Sequence, residues 1–307
     1  MKNKKAELST QQIVLMIILI TSFLVILFFL FRLNIGEKSE EQLCHNSVLQ
    51  KASVFSEAPL QCYRNYVCIT KDGSCEGLTK PEKIKVKSLD EVYGALSDEM
   101  ADCWWTFGEG KVDYVGEGFT KNNYCSICSQ IYFDDSLENL EGVEDKKISK
   151  DELYNYLIKN NYSQDQTYSQ YLFGTNNIES LKQEALQKQG VGTFGNIEIE
   201  KQFFVVMGIT SEVGTVPWVI TAAAGTVAGI VIALNPIGWV ATGVTVVATS
   251  IIGSSAGAAY AEGVEPEIGA IVMEGNGINN NFMRPTIIEA DSDKFEVLNC
   301  EEILTYT

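Results

Sequence analysis

Two uncharged apolar segments, far apart in the sequence, dominate the hydrophobic pattern of the chain. The first is Ile13–Phe31, a run of 19 residues whose most polar members are Thr21 and Ser22. The second, residues 213–261, holds no Asp, Glu, Lys, Arg or His in 49 residues. About 20 apolar residues in a helix are enough to cross a hydrocarbon core of about 30 Å. The pattern predicts a transmembrane helix at 13–31 and further apolar helices at 213–261.

The second apolar segment divides at Asn235-Pro236, a sequence typical of turns. It therefore predicts a glycine-rich helical hairpin with arms at Val216–Leu234 and Ile237–Tyr260. Each arm has a glycine-zipper step at which two helix backbones can approach closely. The glycines of these steps are Gly225, Gly229, Gly253 and Gly257. Because an all-apolar helix must be buried somewhere, three environments stay open: a constitutive membrane hairpin, burial in protein or an oligomer, and conditional insertion into another bilayer.

Strand-like patterns lie on both sides of this segment. The strongest are Tyr124–Phe133 and Gln202–Ile209 before it, and Ile268–Met273 and Thr286–Glu289 after it. Their apolar or alternating character is typical of strands in a packed sheet. We therefore expect one sheet, with the apolar hairpin inserted between two of its strands.

Helix signals are strongest at two capping boxes, Ser88–Glu91 and Ser149–Glu152. In a capping box the serine accepts a hydrogen bond from a free backbone N–H and the glutamate reaches back. Apolar residues recur at three- and four-residue steps behind the first box, until Gly108 and Gly110 break the pattern. A further amphipathic helix is predicted near Ile178–Gln187, and residues 36–41 read as a polar spacer.

Charge and composition narrow the possible partners. The chain has 23 Lys+Arg against 40 Asp+Glu, a formal net charge of -17. We therefore expect no nucleic-acid partner, because nucleic-acid binding depends on Lys and Arg at the phosphates. An aromatic content of 10% indicates a folded domain with a real core.

The chain has eight cysteines, all after the first apolar run, which is the pattern of structural disulfides in an oxidising compartment. They are Cys44, Cys62, Cys68, Cys75, Cys103, Cys125, Cys128 and Cys300. Eight cysteines allow 105 pairings, so the sequence does not assign them. Closely spaced Cys62, Cys68 and Cys75 around a turn sequence predict a small cross-linked loop. Cys300 is expected to fix the C-terminal tail to the domain.

Two other roles for cysteine remain open at this point. Cys125-Ser126-Ile127-Cys128 has the C-x-x-C spacing of thiol oxidoreductases, although its flanks are β-prone. Zinc would need a second ligand pair, and His45 is the single histidine of the chain. The acidic stretch Asp134–Lys147 does not match a calcium loop. We therefore expect no metal and no cofactor.

The N-terminus carries the one family resemblance in the chain. Lys4-Lys5-Ala6-Glu7-Leu8-Ser9-Thr10-Gln11-Gln12, followed directly by the apolar run, resembles the start of archaeal prepilin-type (class III signal peptide) proteins. The resemblance implies cleavage near Ala6, a retained hydrophobic helix and export to the cell surface. Lys2, Lys4 and Lys5 favour a cytoplasmic N-terminus by the positive-inside rule.

These observations predict an α+β, disulfide-stabilised ectodomain with an N-terminal transmembrane helix and an inserted glycine-rich helical hairpin. The segments are a basic leader at 1–12, the anchor at 13–31, ectodomain parts at 32–212 and 262–307, and the hairpin at 213–261. A lone glycosylation sequon, Asn161-Tyr162-Ser163, would lie on the outer side.

No hydrolase, zincin or phosphate-binding motif occurs, so we expect no enzyme. The leading hypothesis is a structural or interaction protein of the cell membrane, with its bulk outside the cytoplasm. Its expected partners are the lipid bilayer and a protein partner or a second copy of the chain. One alternative is a membrane-active protein whose hairpin inserts into a target bilayer. The other is an extracytoplasmic thiol oxidoreductase that uses Cys125 and Cys128.

Overall fold

The structure is a computed structural model of the chain. It describes residues 10–32, 35–53, 58–115, 123–189, 192–210, 229–234, 246–248, 267–274, 280–296, 298 and 300–306. The chain divides into two compact units, Met1–Leu43 and Cys44–Thr307. The larger unit contains the disulfides and the sheet.

The smaller unit contains a long apolar helix, α1 (Thr10–Arg32), at the position where the sequence predicts one. Its large apolar side chains between Val14 and Phe28 are mostly exposed. A second helix, α2 (Ile35–Lys51), includes the predicted polar spacer at 36–41. Within the described residues, no helix combines the length and the apolar character needed to cross a membrane. The membrane anchor at 13–31 stays a prediction.

Side-chain caps mark the start of several helices in the larger unit. The helices of this unit are α3 (Leu89–Thr106), α4 (Lys150–Lys159), α5 (Tyr168–Phe173), α6 (Ile178–Gln189) and α7 (Asp293–Glu296). The Ser88 side chain accepts a hydrogen bond from the Glu91 backbone N–H, and Ser149 accepts one from Glu152. Both predicted helix starts are therefore confirmed. Glu91 differs in one detail, because its carboxylate accepts from the N–H of Lys87, one residue before the cap.

Strands account for most of the remaining described chain. Before the apolar segment they are β1 (Asn65–Thr70), β2 (Glu82–Lys85), β3 (Asn123–Phe133), β4 (Lys147–Ser149), β5 (Asn161–Ser163), β6 (Gln166–Thr167), β7 (Asn196–Glu198) and β8 (Gln202–Thr210). From that segment onward they are β9 (Gly229–Leu234), β10 (Val246–Ala248), β11 (Glu267–Glu274), β12 (Asn281–Glu289) and β13 (Cys300–Ile303).

One mixed sheet of nine strands organises the described part of the larger unit. Its order is β10-β9-β11-β12-β8-β3-β1-β2, and β13 pairs with the beginning of β3. β3, β8, β12 and β11 are joined by antiparallel pairings, whereas β1, β2 and β13 extend the sheet in parallel. Strands from both sides of the apolar segment thus lie in one sheet, as the sequence predicts.

Both faces of the central strands are buried. Along β8, Phe203 and Val205 belong to the large core shared with α3, α4 and α5. Phe204 and Val206 belong to a second core, which includes Leu298 near the C-terminus. Side chains alternate between the faces of a strand, so a central strand with two buried faces becomes apolar at every position. That is the reason for the continuous apolar run in β8.

The helical hairpin predicted at 213–261 is wrong at the residues that the structure describes there. β9 and β10 occupy parts of the two predicted arms, and they pair with each other in antiparallel fashion. β9 also pairs in parallel with β11, with Gly229 opposite Glu267. Val and Ile favour strands, and an all-apolar run has no periodicity that separates a buried strand from a buried helix. The predicted turn at Asn235-Pro236 lies outside the described residues.

The structure describes one of the four glycines that the sequence predicts as helix-packing contacts. Gly229 is the first residue of β9, so the structure gives it a place in the sheet instead of a helix contact. The other three glycines of this prediction lie outside the described residues; they are Gly225, Gly253 and Gly257.

Candidate functional site

All eight cysteines form disulfides. The pairs are Cys44–Cys62, Cys68–Cys75, Cys103–Cys128 and Cys125–Cys300. Cys68–Cys75 closes the predicted small loop, with a sequence separation of 7. Cys125–Cys300 fixes the C-terminal strand to β3 across a separation of 175 residues, which confirms the prediction for Cys300.

The C-x-x-C motif does not form a redox centre. Cys128 pairs with Cys103 on α3, and Cys125 pairs with Cys300. The oxidoreductase hypothesis expects Cys125 and Cys128 to work as a pair, whereas the structure bonds each of them to a distant cysteine. Cysteines in disulfides also have no thiolate to offer zinc, and the described residues contain no group of three or more potential metal ligands. The His45 ring stacks on Trp105 at 4.0 Å, and its Nδ1 lies 2.8 Å from the Trp105 carbonyl oxygen.

A buried ionic cluster lies where β11 begins. The Glu267 carboxylate lies 3.3 Å from Lys150 Nζ and 3.0 Å from Lys294 Nζ. Burial, the largest effect, lowers the pKa of Lys150, and Glu267 acts in the opposite direction. Gly195 packs so closely that a Cβ atom there would lie 1.8 Å from the Glu267 carboxylate. The cluster therefore joins α4, the segment before β7 and the first residue of β11.

The space beside this cluster is small. The cavity beside Lys150 has a volume of about 10 Å³. Such a volume holds about one water molecule. Met100, Leu153 and Ile268 contribute apolar side chains to its lining.

A different candidate site lies on the outer side of the helices. We define the tyrosine–acid surface as Asp98 of α3, Glu109 after α3, Tyr162 of β5, and Tyr168 and Tyr171 of α5. The Tyr162 and Tyr171 rings stack at 4.1 Å, and Tyr168 lies edge-on to Tyr162 at 5.7 Å. Tyr162 is 38% exposed, so the outer ring of the stack faces solvent.

Hydrogen bonds fix the charge state of this surface. The Tyr171 hydroxyl donates to Glu109 at 2.8 Å, and the Tyr168 hydroxyl donates to Asp98. Burial and the neighbouring carboxylates raise the pKa of both tyrosines. Burial opposes ionisation of Glu109, but hydrogen bonds from Lys111 and Tyr171 outweigh it and lower the pKa of that carboxyl. The surface thus presents neutral phenols beside the charged carboxylate of Glu109.

Glu109 holds an unusual backbone conformation within this surface. Its φ is 57°, and its neighbours Gly108 and Gly110 have φ values of 78° and 68°. The left-handed region costs a residue with a Cβ about 1–2 kcal/mol. Gly110 also leaves no room for a side chain, since a Cβ atom there would lie 2.8 Å from the Trp104 ring. The chain therefore holds Glu109 in a strained position under Tyr171.

The sequence predicted the two glycines as helix breakers and missed the glutamate between them. The one local signal was an acidic residue flanked by glycines directly after a helix. No protein-family model, curated protein or solved structure matches the chain. Its function has to be argued from its own chemistry.

Proposed function

We propose that the chain is an exported structural or interaction protein, attached to the cell membrane by residues 13–31, with its disulfide-linked domain outside the cytoplasm. The observation that carries this proposal is the pairing of all eight cysteines. Cytosolic thiols are kept reduced, so four structural disulfides favour an oxidising compartment. With no free thiol left, the cysteines serve stability and not chemistry.

The attachment rests on the N-terminal sequence. The 19-residue run Ile13–Phe31 lacks any charge. The exposed apolar side chains of α1 must be shielded from water, because a helix that is apolar on every side is buried somewhere. Lipid, or the same helix of other copies of the chain, can provide this shielding. Lys2, Lys4 and Lys5 then favour a cytoplasmic N-terminus, which puts every cysteine on the other side of the bilayer.

The tyrosine–acid surface is the part of the domain best suited to a partner. Tyrosine is enriched at protein interfaces, where a rigid ring contributes area and its hydroxyl a hydrogen bond. Asp98 and Glu109 add negative charge, and the whole chain carries -17. Two copies of this surface repel each other, so a partner with positive charge fits better than a second copy. Exposed Lys111 forms an ion pair with Glu109, and a positively charged group of the partner would replace Lys111 in that pair.

Thiol trapping in intact cells tests the proposed compartment. Cells that express the full chain are quenched in acid, and free thiols are labelled with a maleimide polymer before and after reduction. We expect labelling only after reduction. Eight reactive thiols without reduction would overturn the proposal.

A deletion tests the attachment. A variant in which a cleavable export signal replaces residues 1–33 should leave the membrane fraction and appear in the medium with its disulfides intact. The full chain should stay with membranes after a carbonate wash. If both stay, or both are released, residues 13–31 are not the attachment.

A crosslinking comparison tests the partner surface. A photoreactive amino acid replaces Tyr162 in one variant and Tyr63 in the other. Tyr63 is a suitable control because it is 54% exposed, its ring lies beside Tyr306, and it is not one of the residues of the tyrosine–acid surface. We expect salt-sensitive crosslinks from position 162 only. Equal crosslinking from both positions would contradict a dedicated surface.

A further inference from the structure

We propose that Asn161 carries an N-linked glycan. The sequon Asn161-Tyr162-Ser163 is the only Asn-x-Ser/Thr motif, with x not proline, in the sequence. Glycosylated sequons lie on the surface of exported proteins. The inference rests on the export part of the proposed function, and it adds a modification site that the disulfides do not imply.

The structure places the sequon in an accessible position. Asn161, Tyr162 and Ser163 form β5, and all three are exposed. β5 pairs with the two-residue strand β6 in a separate small hairpin, outside the large sheet. A bulky substituent here meets no neighbouring strand of the main sheet.

The exposure of the side chains suits the modification. The rings of Tyr168 and Tyr171 cover part of Tyr162, the middle residue of the sequon. The pairing of β5 with β6 is irregular between Asn161 and Ser163, and both of these residues are exposed. A transferase can therefore reach the Asn161 amide and the Ser163 hydroxyl from solvent.

The neighbouring asparagine shows the contrast. Asn160 is half-buried, and its side-chain Nδ2 donates to the Tyr156 carbonyl at 3.1 Å, which closes the end of α4. The Asn161 side chain is exposed. Asn160 thus has a structural role and no sequon, whereas Asn161 has the sequon and an exposed side chain.

The reaction needs a lipid-linked glycan donor, a polyprenyl phosphate or pyrophosphate that carries an oligosaccharide. Asn161 Nδ2 attacks the anomeric carbon, and the bond between that carbon and the phosphate oxygen breaks. The electron pair leaves with the phosphate, and one amide proton passes to a base. Nothing is oxidised or reduced.

The test uses the full chain in a eukaryotic secretory host. A flexible linker and an Asn-Gly-Thr acceptor are added after the C-terminus, so that glycosylation of the tag reports arrival in the compartment. The tryptic peptide 160–182 contains the sequon and no other acceptor. Its mass is measured before and after enzymatic glycan release, which converts the modified asparagine to aspartate.

We expect two glycans on the tagged chain, and one on Asn161→Gln and on Ser163→Ala. Ser163→Thr keeps the acceptor motif and should retain both. A glycosylated tag beside an unmodified 160–182 peptide would overturn the inference and leave export standing. A chain that is unmodified at both positions would overturn export, and the inference with it. Non-reducing gels check that every variant keeps the disulfides of the parent.

Discussion

Removing Cys125–Cys300 should destabilise the protein far more than removing Cys68–Cys75. The two double variants are Cys125→Ala/Cys300→Ala and Cys68→Ala/Cys75→Ala. Cys68, Cys75 and Cys125 are buried, and Cys300 is half-buried, so each variant loses similar sulfur packing. The two disulfides differ mainly in the length of chain that they close.

Loop length sets the size of the expected difference. A disulfide restricts the unfolded chain, and the lost entropy grows with the logarithm of the number of residues in the loop. The sequence separations are 175 for Cys125–Cys300 and 7 for Cys68–Cys75. The loop-entropy relation then gives about 5 kcal/mol for the long loop and about 2 kcal/mol for the short one. We expect a difference of about 3 kcal/mol in the free energy of unfolding.

Urea titration of the full chain in a mild detergent measures this difference. Fluorescence of buried Trp104 reports unfolding of the domain. The slope of free energy against urea concentration must stay similar in both variants, because a changed slope signals a changed unfolded state. Equal losses, or a larger loss for the short loop, would refute the argument from loop length. Local packing, and not loop length, would then determine how much each disulfide contributes to the free energy of unfolding.

Three further perturbations test the ionic cluster and the tyrosine–acid surface. Gly195→Ala should destabilise the domain by about 1–3 kcal/mol more than Gly73→Ala in urea titrations. Both glycines have positive φ, but only at Gly195 would a Cβ atom overlap Glu267; equal losses would contradict the clash. Glu267→Leu should cost up to about 3–5 kcal/mol because it leaves the buried Lys150 ammonium without its carboxylate, and Lys150→Met/Glu267→Leu should recover most of that loss in a double-mutant cycle. Glu109 has a folded pKa below its ordinary 4.5, so its stabilisation is present above pH 4.5 and lost as the pH falls through the folded value. Glu109→Gln should therefore flatten the fall in urea midpoint between about pH 6 and pH 3, and an unchanged slope would refute this role.

Features that depend on nearby residues could be predicted from the sequence. The starts of α3 and α4 follow from Ser88 and Ser149, whose side chains bond backbone groups three residues ahead. β3 and β8 follow from apolar runs of strand length. The membership of β11 and β12 in the same sheet followed from their pattern as well. In each case the physical cause lies within a few residues of the signal.

Features that depend on residues far apart in the sequence could not be predicted from it. The cysteine pairs are set by the sheet, which brings Cys300 beside β3, and no spacing encodes that. Likewise, the tyrosine–acid surface joins α3, β5 and α5 through contacts such as Tyr171 with Glu109, 62 residues apart. β9 was missed for another reason. A run that is apolar at every position fits a helix or a strand, and only its pairing with β11 decides between them.

The pairing of β9 with β11 bears directly on the alternative of a membrane-active protein. A hairpin that inserts into a bilayer needs two uninterrupted helices whose outer ends lie together. β8 ends at Thr210, opposite Asn281, and Asn281 also pairs with the last residue of β11. The first residue of β11, Glu267, therefore lies at the other end of the sheet, next to Gly229. The two described strands that flank the apolar segment in the sequence, β8 and β11, thus end and begin at opposite ends of the sheet, and β9 and β10 lie within the segment. Insertion would require β9 to leave β11, which would break the backbone hydrogen bonds between the two strands. The free-energy cost would be large, because a buried hydrogen-bonding group without a partner is destabilising. Among the described residues, β9 and β10 thus form one edge of the domain's own sheet.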